Sequence, residues 1–83
     1  MSNEARYQDA VSAVLQALAH RYTEKACIAE GDIERAVSYR EFAASSMSNA
    51  RSYFDMSNSR VDADALARRI DAVISEYQQE TDQ

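Results

Sequence analysis

His20, Glu24 and Cys27 are the residues of this chain best spaced to do chemistry, because steps of four and three place them on one face of a helix. A histidine and a carboxylate one turn apart can share a zinc ion. His20 and Cys27, however, stand two turns apart, roughly 10 Å along a helix axis, whereas zinc bonds are only about 2.0–2.3 Å long. One zinc cannot span them, and the sequence holds no second histidine or cysteine to complete a site. The set reads as an ordinary polar helix face, and no metal ion or cofactor is expected.

Nucleophilic and acid–base chemistry have as little to stand on. Ser45, Ser46, Ser48 and Ser52 have no histidine near them in sequence, and there is no glycine-rich elbow or phosphate loop. Asp62 and Asp64 suit the acidic start of a helix better than a catalytic carboxylate pair. No residue is assigned a catalytic role, and the chain is not expected to be an enzyme.

The elements that carry these residues are all helical. The sequence has no proline and one glycine, Gly31, so punctuation is scarce and each mark carries weight. A first helix over residues 3–30 has Ser2 or Asn3 to cap it and a stripe of Tyr7, Val11, Val14, Leu15, Leu18, Tyr22, Ala26 and Ala29. Gly31 suits the left-handed position after a helix, and Asp32 can cap the next one. The alternative is one long helix that tolerates a glycine. A second helix over 32–55 ends as Ser57, Asn58 and Ser59 favour a turn. A third, over 60–79, starts either from a capping box of Ser59 and Asp62 or from Asp62 itself, with Val61 stapled to Leu66. Its expected buried face is Ala63, Leu66, Ile70, Val73, Ile74 and Tyr77. The fold class is therefore all-α, a small antiparallel three-helix bundle in a single domain spanning 1–83.

The second helix carries two apolar stripes where a core needs one. Ile33, Ala36, Val37, Ala43, Ala44, Met47, Ala50 and Phe54 fall on one side at 100° per residue and are assigned to the core. Arg40 and Arg51 share that side and must lay their stems along apolar surface with their heads in water. Tyr39, Phe42, Ser46, Asn49, Tyr53 and Met56 fall on another side at seam spacing. Aromatic residues on a face the core does not require point to a partner, and aromatic and arginine anchors carry much of the energy of interfaces. The expected contact is Arg35, Tyr39, Phe42, Ser46, Asn49 and Tyr53. The inverse reading turns Tyr39, Phe42 and Tyr53 inward.

Bulk composition sharpens this. Leu, Ile, Val and Phe number 14 of 83 residues and alanines 15, so helix propensity is strong and the core is thin. A net charge of −5 with eight scattered arginines argues against nucleic-acid binding through a phosphate-neutralising patch. No stretch reaches the roughly 20 apolar residues of a membrane span, the first residues lack the basic and apolar segments expected of a secretory signal, and the lone Cys27 agrees with a reducing compartment. A cytoplasmic protein is expected, and the arginine- and alanine-rich composition suggests a bacterial or phage source.

The functional expectation is a small acidic module that binds another protein and blocks or bridges it, as an inhibitor or adaptor. Phage-encoded antagonists of host systems, such as anti-CRISPR proteins, form a class this chain would fit, although no motif links it to them. The structural alternative is a helical homo-oligomer, with the same aromatic stripe forming a homodimer seam.

Overall fold

A computed structural model describes residues 2–81, with the side chains of 79–81 excepted. It contains three helices, α1 (Asn3–Ala29), α2 (Ile33–Met56) and α3 (Ala63–Thr81). Each starts and stops for a local reason. The Ser2 side chain accepts a hydrogen bond from the Ala5 N–H, and Asp32 accepts one from Arg35 N–H, which satisfies amides left without partners at the helix starts. At α3 the structure decides between the two expected caps. Asp62 accepts from Ala65 N–H, whereas the Ser59 hydroxyl accepts from Val61 N–H.

Both connections use the same left-handed stop. Gly31 has φ +81° and Asn58 has φ +58°. After α1, Gly31 N–H donates to the Ile28 carbonyl at 3.0 Å and Asp32 N–H to that of Cys27 at 2.8 Å. After α2, Asn58 N–H donates to Asp55 and Ser59 N–H to Phe54. This paired pattern is the Schellman motif. Gly31 was expected in that role. Asn58, one of the few side-chain-bearing residues that tolerate positive φ, fills it at the second turn.

α1 and α2 form an antiparallel hairpin, with contacts running from Tyr7–Phe54 at its open end to Glu24–Arg40 nearer the turn. Its interface is built from small residues. Ala10, Ala13, Ala17, Ala43 and Ala50 are buried, and Phe54 and Val14 are the largest side chains fully removed from solvent. Small side chains let the backbones approach closely, so the buried arc is narrow. Residues on its shoulders fall outside it. Ile33 and Val37, assigned to the core by their spacing, are exposed, as are Ala44, Leu15 and Tyr7.

α3 follows a different rule. It climbs back beside the hairpin, with Asp64 level with Arg51 of α2 and Asp71 level with Tyr22 of α1. Only Ala63 and Ala67 are buried at its start. Three parallel helices at ordinary spacing would measure about 15 Å in both cross-dimensions, yet the molecule measures 42 × 34 × 17 Å. α3 therefore crosses the hairpin and projects from it. Val73 and Tyr77, expected in the core, are 64% and 67% exposed.

Candidate interaction face

The hairpin has two long grooves, one on each side of the α1–α2 seam. α3 approaches one of them. There Arg21 and Glu24 of α1, Arg40, Ala43, Met47 and Arg51 of α2 and Asp64 of α3 line a hollow of about 310 Å³. The arginines are thus less scattered than their sequence positions suggest. Two of the three are neutralised on the spot. Arg40 Nε lies 2.7 Å from Glu24, and Arg51 forks onto both carboxylate oxygens of Asp64 at 3.1 and 3.2 Å. The stems of Arg40 and Arg51 do run beside apolar residues with their heads outward, as their place on the core side requires.

Two polar links latch α3. Besides Arg51–Asp64, the Tyr22 hydroxyl donates to the Asp71 carboxylate. Helical spacing also brings both aspartates within reach of Arg68, four residues after Asp64 and three before Asp71. The tertiary partners win because a forked guanidinium makes two directed, charge-assisted bonds, which outweigh a flexible i,i+4 pair. The hydrogen bonds from Arg51 hold the Asp64 carboxyl below its ordinary range, with the charges of Arg51, Arg68 and Arg21 adding to the effect. The bond to Asp71 pushes the Tyr22 phenol upward.

Those shifts define a pH window for α3 docking. Asp64, depressed in the folded state, contributes fully above its unfolded pKa of about 3.9 and loses its contribution as pH falls through the folded value. Tyr22, raised in the folded state, contributes fully below about 10 and loses its contribution as pH rises through the folded value. Docking is expected to be tightest between about pH 5 and 9. The Ala63 and Ala67 methyl resonances should shift toward random-coil positions outside that range, before hairpin signals such as those of Ala13 change. A simultaneous change in all of them would contradict separate latching.

The opposite groove is bare. Asp9, Ser12 and Gln16 of α1 face Asn49 and Tyr53 of α2 across a hollow of about 240 Å³, and no described α3 residue lines it. Toward the hairpin tip the same side continues into a cluster of three rings. His20 of α1 lies 5.9 Å from the Tyr39 ring and 5.7 Å from that of Phe42, and Tyr39 and Phe42 meet edge-to-face at 5.6 Å. Such offset contacts fix ring orientation. Phe42 is 51% exposed. At the other end the Arg6 guanidinium sits 5.7 Å over the Tyr53 ring, a cation–π arrangement.

The six residues assigned to the contact divide within this setting. Tyr39, Phe42, Asn49 and Tyr53 border the bare side. Arg35 lies on the same flank nearer the tip, exposed and paired with Asp32 at 3.7 Å. Ser46 is only 8% exposed, so it belongs to the hairpin seam. Tyr53 is half-buried and packs partly on the core, an intermediate position between the two expected orientations. His20 joins the face although its sequence reading concerned metal binding. Glu24 is engaged with Arg40 and Cys27 is buried. Among the described residues no group of three or more metal-ligating side chains gathers, and no helix is long and apolar enough to cross a membrane.

No protein family matches the sequence, and neither a curated protein nor a solved structure matches the chain.

Proposed function

We propose that this protein works by binding another protein through the bare side of its helical hairpin, as an inhibitor or adaptor. The observation that carries the reading is the ring cluster of His20, Tyr39 and Phe42, continuous with the uncovered groove at Asn49 and Tyr53. The cluster pre-orients a phenylalanine that still leaves half of its surface exposed. An aromatic held rigid at a surface loses little conformational freedom when a partner covers it, which is why such residues serve as anchors. Arg35 and the Arg6–Tyr53 pair would supply the polar rim.

The test is affinity capture from the host cell with wild-type protein beside a Phe42→Ser variant and a Val73→Ser variant, the latter on α3. A partner retained by wild type and Val73→Ser is expected to bind Phe42→Ser about thirtyfold more weakly, the loss typical of a central anchor at about 2 kcal/mol. Far-UV circular dichroism should be unchanged, since Phe42 is half outside the fold already. A partner that binds all three proteins equally would remove this face from the interaction.

A further inference from the structure

α3 separates its apolar and polar residues more cleanly than either hairpin helix, yet it buries the least. Its apolar strip is wider than the hairpin can cover. Ala63 and Ala67, on one edge, meet the hairpin, and Ile70 and Ile74 are half-covered. Leu66 also packs partly on the core, and the other edge is carried by Val73 and Tyr77, four apart and more than 60% exposed. Beyond that open edge stand Arg69 and Glu76, seven residues apart and on the same side of the strip. Neither makes an ion pair among the described residues.

We infer that this edge of α3 docks on the same edge of a second copy, with the two helices antiparallel about a two-fold axis near Ala72 and Val73. Charge complementarity selects the occupant. In an antiparallel helix pair, like edges meet, so Arg69 faces Glu76 of the partner subunit and Glu76 faces Arg69 of the partner subunit. The self-complementary spacing gives two opposite-charge contacts from one helix. A parallel pair would bring this edge against the side already occupied by the hairpin. The projection of α3 makes room as well. Each hairpin holds the first half of its own α3, so antiparallel pairing leaves the two hairpins at opposite ends. One short helix face falls below the area of permanent dimers, and the association is therefore reversible.

Sedimentation or light scattering of the full chain over a dilution series is expected to show a monomer–dimer equilibrium. R69E and E76R, both at solvent-facing positions, should each weaken it by about tenfold, because each turns two attractive contacts into two repulsive ones. The double variant R69E/E76R should restore it. A protein that stays monomeric at its solubility limit overturns the proposal, as does a dimer indifferent to the single reversals or one abolished by Phe42→Ser. A dimer lost and regained in that charge pattern is specific to antiparallel α3 pairing.

Discussion

Replacing Phe54 with alanine is expected to cost about 3–5 kcal/mol of stability. Phe54 is 1% exposed and, with Val14, is the largest side chain fully buried among the described residues. Tyr7 closes over its ring edge-on at 5.6 Å. Most of the remaining core cluster is alanine, whose side chains cannot extend into the gap. A chain of this length holds only about 4–12 kcal/mol in total. The melting temperature should fall by more than about 10 °C, followed by circular dichroism at a helical wavelength. A loss below about 1 kcal/mol would mean that the hairpin is not anchored there. The contrast with Phe42, the other phenylalanine of the chain, separates fold from interaction in two substitutions.

Enlarging the seam should be nearly as damaging. Ala50 is fully buried between α1 and α2, and leucine in its place is expected to cost about 3 kcal/mol, the upper end for overpacking. Leucine and alanine are both strong helix formers, so propensity cannot explain such a loss. The cause would be forced separation of two helices that approach on small residues. Ala44→Leu, on the exposed side of α2, is the matched control and should be close to neutral. Urea unfolding of the pair checks it, and equal midpoints would contradict a close-packed seam.

The helix boundaries were legible because their punctuation is local. Gly31, Asp32 and the Ser57–Ser59 cluster act through their own backbone and nearest amides. Burial was legible only near the centre of each stripe. Helical spacing places Ile33 and Val37 beside Ala36 on the wheel, but it does not say how closely α1 approaches, and the alanine seam leaves those shoulders outside. Ser46 shows the opposite error. It lies between the outer aromatics and Ala50, and the close approach encloses it. For α3, a continuous apolar strip revealed amphipathicity without revealing what covers it, so Val73 and Tyr77 were assigned to a core that does not reach them. The role of His20 left a readable trace. A hairpin centred on Gly31 pairs residue 20 with residue 42, and that symmetry predicts the contact with Phe42.

The three-residue connection between α1 and α2 also bears on how the chain is made. Closing so short a loop costs little entropy, and the contacts that follow are local, the condition for rapid folding. The hairpin's contacts lie within residues 3–56 and do not depend on α3, which docks on a surface where Arg51 and Tyr22 stand in place to receive it. The exposed edge at Val73 and Tyr77 is then an apolar surface that forms only after the hairpin has closed.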